Sequence, residues 1–188
     1  MLTKKQYRCS YGPLQAGMSL LETMIALLIL MITTVGLLSL GMAATSTTEN
    51  RGHLAARTTE YAQDKMEQLI SLAWGDTTTD TTVIPMVSGG TGLSVDCGGA
   101  GTACGSSDPT APATSYVDYL DSSGNLLTYT GGAAPSNWYY MRVWQITKLA
   151  SNANIKQITV TSKVRRQVGA PQGALPQSTL TMLKTNPF

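Results

Sequence analysis

Hydrophobic and polar positions divide this chain into three stretches. Residues 23–48 form an apolar run without a charged side chain. At ~1.5 Å per residue such a run crosses a hydrocarbon layer of ~30 Å as a helix. Residues 49–74 keep a helical pattern and become amphipathic: Leu54, Ala55, Ala62, Met66, Leu69, Ile70 and Ala73 recur at three- and four-residue steps. Glu60, Asp64 and Lys65 read as a solvated face, and Gly75 as the residue that ends the helix. From residue 75 onward the helical period gives way to Thr-, Gly- and Ser-rich sequence with a short strand at 83–87. A hairpin follows over 116–120 and 126–129, turning at 121–125. Alternation is clearest at 138–148, with Tyr139, Met141 and Val143 opposite Trp138, Tyr140, Arg142, Trp144 and Ile146. It recurs at 155–166, with Ile158, Val160 and Val164 opposite Gln157, Thr159, Thr161 and Lys163. With a last strand at 178–183, the pattern predicts a three- or four-stranded antiparallel sheet that buries one face against the 54–73 helix and leaves the other wetter.

One residue breaks the first pattern. Glu22 stands at the head of the apolar run, where a bare carboxylate in hydrocarbon is disfavoured by roughly 2.5–3.5 kcal/mol, so it needs a partner or a job. Solvation near the membrane surface is the simpler account. Upstream lies a short basic segment with Lys4, Lys5 and Arg8, no acidic residue, and Gln15-Ala16-Gly17 at its end. A secretory signal peptide cut near Gly41-Met42-Ala43-Ala44 would need a much shorter apolar region. A retained signal anchor, held by the basic residues on the cytoplasmic side, fits the charges and leaves Glu22 unexplained. A lipoprotein anchor would need its cysteine after the apolar run, whereas Cys9 precedes it.

Basic leader, glycine, glutamate and apolar helix together resemble the type IV prepilin family. The resemblance implies a leader, residues 1–17, removed after Gly17 by a membrane prepilin peptidase. It also implies N-methylation of the new terminal residue Met18, with Glu22 fifth in the mature chain. The motif has a physical logic of its own. A subunit joining a bundle of parallel helices carries its terminal amine out of lipid, and a carboxylate in that low-dielectric setting compensates the charge. Glu22 would supply it to the Met18 amine of a neighbour or of its own chain.

Asn50-Arg51, Ala55-Ala56-Arg57 and Ala62-Gln63-Asp64-Lys65-Met66-Glu67-Gln68-Leu69 extend the likeness to minor pilins of the PilV type and to the related minor pseudopilins of type II secretion. The two matches cover residues 16–74. They imply an α+β, type IV pilin-like lollipop: a transmembrane and assembly helix, 18–45, and a periplasmic domain, 46–188. The domain would comprise an amphipathic helix 46–74, loops 75–115 and a sheet 116–188. The expected function is that of a minor pilin priming or capping a type IV pilus. Its partners would be prepilin peptidase, other minor pilins, the major pilin and the inner-membrane assembly platform. The protein would reside in the bacterial inner membrane before assembly and in the pilus or at its tip afterwards. A minor pseudopilin, or a tip adhesin or uptake subunit using the loop 77–112, are the alternatives.

Charge and cysteines refine this picture. Once residues 1–17 are set aside, 10 basic residues face 11 acidic ones, so the net charge of +2 becomes −1 and carries no nucleic-acid signal. Removal of Cys9 with the leader leaves Cys97 and Cys104 in a Gly-rich loop, and a disulfide between them suits an oxidising periplasm. A zinc site is the rival, but His53 is the chain's one histidine. No phosphate loop, carboxylate pair at catalytic spacing or HExxH motif is present, so neither an enzyme nor a cofactor is expected and no small-molecule substrate is identified. Lys163, Arg165 and Arg166, with Trp138, Tyr139, Tyr140 and Trp144 nearby, form a basic-aromatic group whose simpler reading is a sheet face.

Overall fold

The computed structural model describes residues 19–94, 103–152, 154–165 and 175–187. One helix, α1 (Leu20–Ser71), is followed by eight strands: β1 (Thr79–Asp80), β2 (Val87–Ser88), β3 (Cys104–Gly105), β4 (Val117–Leu120), β5 (Leu126–Leu127), β6 (Tyr140–Lys148), β7 (Ile155–Val164) and β8 (Gln177–Thr185). The chain divides into two units, Met1–Thr47 and Thr48–Phe188, with α1 contributing to both.

In the second unit the helix packs on an antiparallel sheet, an α+β arrangement. Strand order is β5-β4-β6-β7-β8, and β3 joins β6 on the same edge as β4 but at the other end of the strand. The sheet is therefore six-stranded, larger than the three or four strands expected. β5 is the second strand of the expected hairpin, shortened to Leu126–Leu127 and paired with β4, whereas β3, two residues long, is too short to carry a period and is not among the expected strands. β1 and β2 pair separately, so the strand expected at 83–87 resolves into a bend between two short strands, with only Val87 in the ladder.

Tyr61, Ala62, Met66 and Leu69 face the sheet, burying against Trp144, Ile146, Ile158 and Val160 in one cluster and Leu120, Tyr140 and Val164 in another. Full burial of each large side chain contributes about 1.5–3 kcal/mol, so this face is what holds helix and sheet together. Ala55 and Ala73, expected on the stripe, are exposed, and Thr58 and Lys65 take buried positions beside it. The β4-β5 turn reaches the helix as well. Gly124, at φ +88°, lies where an added Cβ would come within 2.5 Å of the Tyr61 hydroxyl oxygen.

The far side of the sheet is not simply wet. Val117, Tyr119, Met141 and Val143 form a further buried cluster covered by Leu127, Tyr129 and Trp138. Trp138, expected on the same face as Trp144, packs here against Tyr119, because β6 begins at Tyr140 and strand alternation does not extend back to it.

The helix ends at Ser71, three residues before the expected limit. Its last turn holds no basic residue of its own; instead the Lys184 ammonium, from β8, donates to the carbonyls of Ile70 and Leu72. Just beyond, Lys156 of β7 donates to the carbonyls of Trp74, at 2.6 Å, and Leu93, at 2.8 Å. Lys184 thus satisfies one of the carbonyls that the helix end leaves unpaired, Ile70, and the two sheet cations together hold the segment that follows the helix.

Lys65 overturns the expected solvated face. It is fully buried, 2.9 Å from Asp118 Oδ2, donates to the Thr81 carbonyl, and lies 4.0 Å from the Trp144 ring centroid. Asp118 sits opposite Arg142 in the β4-β6 register and accepts from its Nε at 2.7 Å and its Nη2 at 2.9 Å. The remaining Arg142 nitrogen, Nη1, donates to Asp64 at 2.8 Å, at the exposed margin. Lys65 occupies the turn between Ala62 and Leu69, so a cation there is tolerable only because the strand opposite supplies a carboxylate.

Burial alone would raise the Asp118 carboxyl; Arg142 and then Lys65 outweigh it and hold the group below the usual range. Burial also pushes the Lys65 ammonium down, against the pull of Asp118. For a depressed carboxyl, the stabilisation is complete above the unfolded value of about 3.9 and is lost as pH falls through the folded one. Denaturant unfolding should therefore show stability falling as the solution is acidified below about pH 4. Asp118→Ala, which leaves buried Lys65 without a carboxylate and Arg142 with Asp64 alone, should cost about 3–5 kcal/mol at neutral pH and flatten that slope. A residual slope is expected from three further lowered carboxyls: Asp76, where Thr79 and Thr78 outweigh burial, Asp108, held by Thr110, and Asp121, held by Asn125. An unchanged acid slope in Asp118→Ala would show that the cluster does not carry it.

Candidate functional site

The candidate site is the first part of α1 with the carboxylate at its head. Residues 20–47 have the length and composition needed to cross a membrane, and the apolar window is wholly unburied within the chain. Leu20, Leu37 and Met42 are 77%, 70% and 71% exposed. In water such a surface is costly; in lipid it is the favourable one. α1 is the one helix among the described residues that meets this length and hydropathy.

The polar side chains in this stretch fold back on their own helix. Thr23 donates to Leu20 O, Thr33 to Ile29 O and Leu30 O, Thr34 to Met31 O, Ser39 to Gly36 O, and Thr45, Ser46 and Thr47 to carbonyls one turn back. Each hydroxyl hydrogen is thus satisfied without water, the condition that a hydrocarbon environment imposes. Gly36 and Gly41 stand in open space, where an added Cβ would meet nothing within 4 Å.

At its start, the Ser19 hydroxyl accepts from the Glu22 N–H at 3.2 Å, and the Ser19 carbonyl accepts from the same N–H at 3.0 Å and from the Thr23 N–H at 3.2 Å. Ser19 is the N-cap and Glu22 lies in the first turn, so Ser19-Leu20-Leu21-Glu22 has the spacing of a capping box. The expectations above overlooked this signal, which is legible as S-x-x-E before an apolar run. It gives Glu22 a local role, since an acidic side chain in the first turn also meets the positive end of the helix dipole. The carboxylate itself is exposed and takes no protein partner among the described residues. Gly17 and Met18, the expected cleavage and methylation positions, lie outside the described residues, as does any geometry relating them to Glu22.

The other candidates are distributed through the second unit. Cys104 is buried in β3, paired in register with Ile146; Cys97 lies outside the described residues, and the expected Cys97–Cys104 pairing with it. His53 is exposed on the helix, and no cluster of metal-ligating side chains occurs among the described residues. The basic-aromatic group is spent within the fold. Lys163 donates to Pro109 O at 2.9 Å, Arg165 reaches Ser136 O and lies over the Trp138 ring at 5.3 Å, and Trp144 is fully buried. Arg166 is outside the described residues.

Comparison of the chain with protein families, with curated proteins and with solved structures finds no match.

Proposed function

We propose that this chain is a type IV prepilin that matures into a minor pilin, joining other minor pilins in a complex that primes or caps the filament. The observation that carries this reading is an exposed, membrane-length apolar helix whose first turn presents a carboxylate with no protein partner among the described residues. The helix start accounts for an acidic residue at this position, and helices packing in parallel with charged termini give its free carboxylate a further use. The unfilled space beside Gly36 and Gly41 also suits a helix that packs against others. In this reading the amphipathic part of α1 and its sheet form the periplasmic domain of the lollipop, prepilin peptidase cuts after Gly17, and Met18 is methylated. The protein waits in the inner membrane for the assembly platform before it reaches the pilus.

Cleavage tests the processing half. The peptidase needs an extended chain with a small residue at the cut, so Gly17→Trp should abolish leader removal, seen as a slower band beside wild type. A leader still removed, or a new terminus near Ala44, would overturn the prepilin reading.

Glu22→Ala separates assembly from processing. The variant should be cleaved and membrane-resident yet depleted from sheared pili relative to the membrane pool. If the amine is fully desolvated, loss of its compensating charge costs about 3–5 kcal/mol, or a hundredfold or more in incorporation. Ser19→Ala is the control, since it removes the helix cap and keeps the carboxylate. A Glu22→Ala ratio near wild type, or an equal defect in Ser19→Ala, would reduce Glu22 to a helix-start residue.

Cys97 and Cys104 should be oxidised to each other in exported protein. Intact mass under non-reducing conditions should then lie two hydrogen atoms below the dithiol. Alkylation of both thiols in freshly isolated, unreduced protein would remove the pairing.

A further inference from the structure

A polar cavity in the second unit is used by nothing described so far. It has a volume of about 190 Å³ and lies among the β1-β2 turn, the segment entering β4 and the segment leaving β5. One water occupies about 10–15 Å³ of such a volume, so the space admits several waters or one six-membered ring. Asp80, Thr82, Ser115, Tyr129 and Thr130 line it, with backbone from Gly90 and Gly131.

The lining is held in place. Asp80 Oδ1 accepts from the Thr82 N–H at 2.8 Å and the Thr82 hydroxyl at 2.6 Å, which orients the carboxylate and leaves Oδ2 without a protein partner among the described residues. The Gly90 backbone comes so close to Asp80 that an added Cβ would lie 2.2 Å from the Asp80 Cα. Ser115 is held at φ 68°, the one left-handed non-glycine among the described residues, and its hydroxyl takes no protein partner there. Such a conformation is strained in a non-glycine residue and persists only where its surroundings hold it. The Tyr129 ring is braced edge-on against Tyr119 at 5.1 Å, and its hydroxyl donates to the Gly132 carbonyl at 3.2 Å.

The chemistry of the lining selects among ligands. A single carboxylate with no cation in the lining disfavours anions. One carboxylate is too little charge for a divalent ion, which takes several oxygen ligands. The hydrogen-bonding walls disfavour a purely apolar guest. Hydroxyls that both donate and accept, beside a carboxylate that only accepts, match vicinal hydroxyls. We propose that this cavity binds the ring of a neutral monosaccharide, with Asp80 Oδ2 accepting from two of its hydroxyls. The site goes beyond the pilin reading and is independent of it, since binding is measured on isolated protein whether or not the chain enters a filament.

The test uses the full chain in a glycoside-free detergent. Saturation-transfer NMR is recorded with the methyl glycosides of glucose, galactose and mannose, and with sialic acid as an anionic comparison. At least one neutral glycoside should bind while sialic acid does not. Asp80→Asn keeps the Oδ1 acceptor that holds the turn and replaces Oδ2 by a donor, so it should weaken binding by about tenfold or more. Ser115→Gly removes one hydroxyl and relaxes the backbone, so it should weaken binding without loss of fold. If Asp80→Asn alters the circular dichroism spectrum, Ser115→Gly decides. Absence of binding by every neutral glycoside up to about 20 mM, equal binding of sialic acid, or affinity unchanged in both folded variants would overturn the assignment.

Discussion

A carboxylate between two cations fixes how the helix and the sheet of the second unit meet. Asp118 receives Arg142 from the neighbouring strand through two hydrogen bonds and Lys65 from the helix through a third contact, all inside the helix-sheet interface. The interaction is costly to assemble, because each ion leaves water. A buried pair of this kind gains little over an apolar replacement and loses much when one member is removed. Its effect is to fix position. The bidentate Arg142 contact sets the β4-β6 register, while Lys65 ties one turn of α1 to that register. The buried faces on either side then meet in a single arrangement.

Much of this fold was legible in the sequence because its periods run long enough to be read, although β6 is buried on both faces from Tyr140 to Trp144. The amphipathic part of α1 follows from three- and four-residue spacing, β6 and β7 from alternation over nine and ten residues, and the hairpin from Asp121 to Asn125. What escaped notice depended on distant partners. Lys65 beside Asp64 and Glu67 reads as a solvated charge until Asp118, far along the chain, is brought opposite it. β3 leaves no periodic trace in two residues, and the outer cluster around Tyr119 forms only because Trp138 and Tyr129 fold over the sheet from loops. For the candidate site, the apolar helix and its lone carboxylate were plain. The Ser19 cap was legible too, as S-x-x-E before an apolar run, a spacing that serves the helix start and the charge at once.

The two parts of α1 meet opposite demands with one secondary structure. Residues 20–47 turn their hydroxyls inward onto backbone carbonyls and expose leucine, isoleucine and methionine; residues after 48 expose charge and bury a narrow face. Backbone satisfaction within the helix is common to both. Only the side chains change solvent, which is how one uninterrupted element can serve in lipid and against a sheet.

The two margins of the sheet are unlike. One is closed by strands of two residues, too short to template anything. The other is β8, nine residues without proline, bulge or acidic residue, paired with β7 alone among the described residues, with Met182 and Leu183 about half exposed. Natural edge strands are commonly guarded by charge, and the one lysine here is drawn onto helix carbonyls. Concentrated protein therefore has a ready seam for strand-to-strand pairing between chains, and that is a consequence of where a single ammonium group points.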